Sequence, residues 1–221
     1  MRGGERASAV VMTTLPAAAL PAAGRRSRAP AAAAVALGGF AAATIAAAAA
    51  TPGYSQLEEH ISALAARDAP HPWIVTAGLF SLVLALFAMA IALRDRLGGR
   101  AVPVLLTVAG ILLAGAALAR EDCSTAQAAC AAREVAGTVS GAHVLHQLVS
   151  LLAFVLVIAA LFAAARALKR SGRDARPTRA VALACVVLVA VLVTGAADGA
   201  EGLVQGVFLL LAFGWPLRLA M

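Results

Sequence analysis

His143 and His146 stand three residues apart at the start of the apolar run Gly141 to Leu168. On a helix, residues at that spacing share a face, and Gln147 and Ser150 fall on or near it. His60, Asp122, Asp198, Glu201, Gln205, Tyr54 and Ser55 lie at or close to the ends of other apolar runs. Imidazole and carboxylate together suit zinc or a similar divalent ion, with His143, His146 and His60 as the ligands. A metal-bound water, or Ser55 paired with a histidine, could hydrolyse a lipid-like substrate. In that scheme His143 is ligand or base, His146 and His60 assist, and Asp198 or Asp122 orients them. The H-x-x-H spacing lacks the glutamate of the H-E-x-x-H zinc helix. Polar residues at helix ends also sit hydrated among lipid headgroups with no chemistry to perform. Haem would need His60 to face the histidine pair from another helix.

The elements that position these residues follow from composition. Of 221 residues, 62% are hydrophobic and 13% charged, against about 45–50% and about 25% in soluble globular domains. Mean hydropathy is +0.90. The apolar residues form continuous Ala/Leu/Val runs rather than alternating ten-residue segments. Helices are therefore expected, not barrel strands. Six spans are expected at about 31–51, 72–93, 101–120, 142–168, 179–197 and 202–220, giving an all-α polytopic membrane protein. The first is Ala-rich with Gly38 and Gly39 inside it. Small residues let helices approach closely in lipid, which predicts a place inside the bundle.

The net charge of +7 does not point to nucleic acid, because the basic residues gather at the ends of apolar runs. With alternate loops assigned to opposite sides, 15 of the 18 Lys and Arg fall on one side. Only Arg67, Arg120 and Arg133 fall on the other, with eight of the eleven acidic residues. The positive-inside rule then places both termini in the cytoplasm and the histidines at the outer rim of the cell membrane. Residues 1–30 form an Ala/Pro/Arg-rich stretch expected to be a disordered cytoplasmic tail. The competing assignment is a cleaved signal peptide, which would leave five spans.

The two outer loops hold most of the polar residues. Ser55-x-x-Glu58 has the capping-box pattern, and Leu57, Ile61 and Leu64 follow at helical spacing. A short amphipathic rim helix is expected there, with His60 inward and Glu59 outward. Cys123 and Cys130 share the second outer loop. An oxidising compartment favours a disulfide between them, with free thiols or metal ligation as the alternatives.

Several stretches resemble the bacterial and archaeal membrane proteins grouped as domain-of-unknown-function family 998. These are Tyr54-Ser55 followed by Ile61-Ser62-Ala63-Leu64, then Thr76-Ala77-Gly78, Asp122, the histidine opening the fourth span, and Gly202 to Trp215. The resemblance runs from about Gly39 to Trp215 and implies a six-helix membrane protein with no assigned activity. The chain departs from the family pattern at Ala65, where relatives tend to have Gly, and near Gly206, where they tend to have Arg. Three functions remain in view. The first is a rim site acting on or binding a lipid or envelope component. The second is a non-enzymatic membrane subunit or sensor. The third, a transporter or proton relay, ranks last because the spans carry no charge between their ends.

Overall fold

A computed structural model describes residues 28–221, and among these the chain forms seven α-helices and one 3-10 turn. The expected tail lies almost entirely outside the described residues. Six helices are long and apolar enough to cross a membrane: α1 (Ala29–Ala50), α2 (Pro72–Leu97), α3 (Ala101–Leu118), α5 (Gly141–Arg170), α6 (Arg176–Val193) and α7 (Glu201–Ala220). The seventh, α4 (Ala128–Val135), is a short helix in the loop between α3 and α5. No strand occurs among the described residues.

Local sequence explains the helix ends. Pro30, Pro72 and Pro177 occupy the first turns of α1, α2 and α6, where a missing N–H leaves no bond unmade. Gly98 closes α2 in the left-handed conformation, φ 62°, which glycine adopts without penalty. α5 is capped by Ser140, whose hydroxyl accepts from the His143 N–H at 3.3 Å. At 30 residues α5 is about 45 Å long. It therefore outreaches a hydrocarbon core of about 30 Å, and its histidine end is free to meet the loops.

Large apolar side chains cover the outside of the bundle as well as its core. Leu84, Ile91, Val187 and Leu210 are exposed, and an apolar exterior of this kind is a surface for lipid. Inside, α2 is the central helix, packing against α1, α3 and α7. Its interface with α1 is made by small residues. A Cβ on Gly39 would meet Ser81 Oγ at 2.7 Å, and one on Gly78 would meet the Ala43 Cβ at 2.7 Å. Ser81 Oγ donates to the Ala36 carbonyl at 2.8 Å across that contact. The small residues do bring α1 close, as expected, but at the edge of the bundle: only Ala33, Phe40 and Ala47 are buried on it. Gly38 has nothing near it and plays no part in the contact.

The expected rim helix is not formed. Residues 55–59 make one capped turn, with the Glu59 N–H donating to the Ser55 carbonyl at 2.8 Å. His60 is then extended, and a 3-10 turn runs over Ile61–Ala65. The helix breaks because the Ile61 N–H is taken by the Gln205 side-chain oxygen on α7 at 2.6 Å. A tertiary partner here outbids the local helical one.

Candidate functional site

The two loops between α1 and α2 and between α3 and α5 interlock over one end of the bundle. The Arg67 N–H donates to the Glu121 carbonyl at 2.9 Å, and Ser124 Oγ donates to Glu59 Oε2 at 2.6 Å. Glu59 Oε1 also accepts from the Ser55 N–H at 3.3 Å, so Glu59 rather than Glu58 completes the capping box. Glu59 is thus half-buried and turned toward the second loop, against the outward direction expected from a helical wheel. Tyr54 donates to the Glu59 carbonyl at 3.2 Å, and burial, with the Glu59 charge behind it, pushes its phenol up to about 12.

Asp122 ties the same end together. Its carboxylate accepts from the Ser140 N–H at 2.6 Å and the Ser140 hydroxyl at 2.7 Å. It also faces Arg67 at 3.3 Å and Arg133 at 3.6 Å. The Ser140 N–H first, then its hydroxyl and the Arg67 charge, hold this carboxyl below the usual range against the opposing effect of burial. Arg133 also reaches Cys123 Sγ at 3.7 Å. Cys123 and Cys130 are joined as a disulfide, with Cα atoms 5.9 Å apart, which pins the start of α4 to this hub.

The two histidines have different surroundings. His143 is fully buried. Its Nδ1 accepts from the Asp122 backbone N–H at 3.1 Å, and its Nε2 lies 3.2 Å from the Gln147 side-chain amide. That amide in turn lies 2.7 Å from Glu134. Asp122 therefore orients His143 through its backbone, not its carboxylate. His146 is 4% exposed, and its Nδ1 lies 2.8 Å from the Ala116 carbonyl and 3.0 Å from the Ala119 carbonyl. Carbonyls only accept, so Nδ1 carries the proton and donates. Nε2 is left with its lone pair and meets no protein partner among the described residues.

His146 lines a cavity of about 560 Å³ whose wall is made by both polar and apolar side chains. Leu79, Leu82, Leu113, Phe154 and Leu209 form part of the apolar wall, and Phe154 packs against Phe208 of α7 with the rings tilted by 57° and their centroids 4.6 Å apart. The polar wall includes His60, Ser150, Glu201 and Gln205. Gln205 spends its carbonyl on Ile61 and keeps its amide donors for the cavity. Glu121 lines it too, only 7% exposed and with no partner for its carboxylate among the described residues.

Of the residues singled out from sequence, His60, His146, Gln147, Ser150, Glu201 and Gln205 share this cavity. His143, Asp122, Ser55 and Tyr54 lie outside its walls, in the hydrogen-bonded shell of loops. Asp198 is exposed on the turn between α6 and α7 and stands apart. Among the described residues, no three His, Cys, Asp or Glu side chains are gathered so as to hold a metal ion. His60, His143 and His146 are thus not arranged as one ligand set.

Sequence reasoning passed over Glu121, Glu134 and the two arginines that clasp Asp122. Glu121 and Asp122 are adjacent, and nothing in their order tells which one faces the cavity.

Residues 34–221 match the family described as protein of unknown function DUF998. No curated protein and no solved structure matches the chain.

Proposed function

We propose, since the chain belongs to the DUF998 family of membrane proteins of unknown function, that its cavity receives the polar end of a membrane amphiphile and that His146 acts there as a general base. The protein is placed in the cell membrane with both termini cytoplasmic and the cavity toward the outer side. The 15-to-3 division of Lys and Arg supports that orientation.

One observation carries the proposal: a buried imidazole whose proton is committed to two carbonyls, with its other nitrogen on a cavity. Such a ring is held in one tautomer with its basic lone pair aimed outward. In the reaction this favours, a water molecule gives one proton to His146 Nε2 as its oxygen bonds to an ester-type carbon of the substrate. The bond to the departing alcohol then breaks, and the alcohol oxygen takes the proton back from the imidazolium. Gln205 donates a hydrogen bond to the substrate. His143 is a positioning residue: it ties the first turns of α5 to the Asp122 backbone and so fixes where His146 points. The alternative of a non-enzymatic subunit suits histidines that point apart or into lipid headgroups; His143 and His146 do have separate partners, but both are buried, at 0% and 4% exposed, rather than set among headgroups.

The test is what the protein carries when purified in mild detergent. Mass spectrometry of its organic extract should find an amphiphile well below one per protein in wild type, rising several-fold toward one per protein in His146→Ala because it is no longer consumed. Ser150→Trp and Leu209→Trp, which fill the cavity from two helices, should each remove it. Equal amounts in wild type and His146→Ala would end the catalytic part. Equal amounts in the cavity-filled variants would end the binding part.

A further inference from the structure

Among the described residues four carboxylates line the cavity, Glu58, Glu121, Glu134 and Glu201, and no Lys or Arg does. Of the three arginines at this end, Arg67 and Arg133 are drawn to Asp122, which is not in the cavity wall, and Arg120 lies outside the wall as well. Glu134 faces the neutral Gln147 amide. Glu121 is the most telling of the four. The residue is only 7% exposed, and its carboxylate has no hydrogen bond or ion pair among the described residues. No side-chain oxygen that is itself buried lacks a partner among the described residues, so the carboxylate oxygens keep open space beside them, which for a residue of this wall is the cavity. A cation entering there meets a carboxylate with no protein partner to displace.

We infer that the cavity is selective for amphiphiles whose head carries a positively charged amine, with Glu121 as the principal counter-charge. The inference rests on the amphiphile-binding proposal above and narrows it. A phosphate or other anionic head would add like charge to a low-dielectric space already carrying carboxylates, which repels it. A compact divalent ion is a poorer match than an ammonium head, because the carboxylates are spread around the polar wall and no three of them converge with histidine on one point. Leu79, Leu113 and Leu209, which also line the cavity, stand several residues inside α2, α3 and α7, deeper in the bundle than Glu58, Glu121 and Glu201 in the loops and at the start of α7. This places a hydrocarbon chain behind a cationic head, and the volume of about 560 Å³ lies within the usual range for small-molecule sites.

Three single-chain probes with one tail separate head chemistry from tail burial: dodecylamine, dodecanol and dodecyl phosphate. Each is titrated into the full-length protein in phosphatidylglycerol nanodiscs at pH 7, reading the melting temperature. Ser150→Trp and Leu209→Trp serve as controls for partitioning into the lipid. Dodecylamine should give a saturable stabilisation that both cavity-filled variants lose. Its half-saturation should lie at least ten-fold below those of dodecanol and dodecyl phosphate. Glu121→Gln should raise that value about ten-fold for dodecylamine and leave dodecanol unchanged. Should Glu121→Gln not fold, Glu201→Gln reads the same loss in smaller measure. Equal half-saturation for all three probes, still lost in the cavity-filled variants, would overturn the charge selectivity while leaving amphiphile binding intact. Preference for dodecyl phosphate would do the same. A preference for dodecylamine indifferent to both glutamine variants would overturn the role of the carboxylates. If no probe distinguishes wild type from the cavity-filled proteins, amphiphile binding itself falls.

Discussion

Asp122 shows how a residue that reads as catalytic in sequence can be structural in the fold. A carboxylate beside two histidines invites an orienting role. Yet its two oxygens are taken up by Ser140, Arg67 and Arg133, and only its backbone N–H reaches His143. Its depressed pKa has a consequence for stability. Because the folded state favours the charged form, the carboxylate stabilises the fold fully above its ordinary value near 3.8. That contribution is lost as the pH falls through the lower folded value. Protection of the His143 and Val144 amides against exchange, relative to the free-chain rate at each pH, should therefore fall below about pH 3–4 in wild type. Asp122→Asn should exchange fast at pH 7 and show a weaker dependence on acid. An Asp122→Asn profile that overlays wild type across pH 3–7 would show that the charge is not what holds the cap. The histidine pair itself was legible in sequence, since H-x-x-H at a helix start needs no tertiary knowledge. Which of the two presents a free nitrogen was not legible. That depends on the carbonyls of Ala116 and Ala119, left open at the end of another helix about thirty residues away.

The six long helices could be read from apolar runs because each run is set by a solvent requirement that acts residue by residue. The loops could not, because their backbone bonds are made to distant elements. The start of α7 illustrates this. Gly202 is pressed against the carbonyls of Gln56 and Glu59, so close that a Cβ there has no room. The Leu203 N–H donates to the Leu57 carbonyl at 3.0 Å, and Gln205 holds Ile61. These three residues draw the loop between α1 and α2 onto α7 and convert an expected helix into a capped turn followed by a 3-10 turn. The resemblance to DUF998 relatives marked Gly202 and Trp215 without saying why. Gly202 permits this docking, and Trp215 donates to Thr178 of α6 at 3.0 Å, fixing the other end of α7. Gly202→Ala should cost about 1–3 kcal/mol, the usual range for overpacking a rigid contact. It should lower the melting temperature in detergent and, through the displaced His60 and Gln205, the retained amphiphile. Gly206→Ala, which meets nothing within 4 Å, is the control. It should be neutral or stabilising by up to ~1 kcal/mol, since alanine is the better helix former. Equal melting temperatures for the two variants would show that the loop yields to α7 rather than clamping it.

At the scale of the whole molecule, everything said about compartment depends on which way the bundle faces. The fold alone is indifferent to direction: an apolar exterior satisfies lipid whichever end is up. Direction comes from charge, and the bundle is polarised. Arg94, Arg96, Arg100 and the cluster from Arg166 to Arg179 crowd one end, while the cavity, the disulfide and most carboxylates occupy the other. Moving lysine or arginine through the membrane during insertion is costly, so the proposed orientation keeps the crowded end in the cytoplasm. The disulfide agrees with this polarity, because a bridge between Cys123 and Cys130 persists on the oxidising side and not in a reducing cytoplasm. Lys169 is the only lysine in the chain and sits at the last turn of α5, on the basic end. In intact cells a membrane-impermeant amine reagent should leave Lys169 unmodified, and permeabilisation should expose it. Gln127→Lys, at the exposed N-cap of α4, should be labelled in intact cells. The reverse pattern would invert the bundle. The carboxylate-lined cavity would then open to the cytoplasm, the two cysteines would face a reducing pool, and the amine-bearing amphiphile would have to be sought in the inner leaflet.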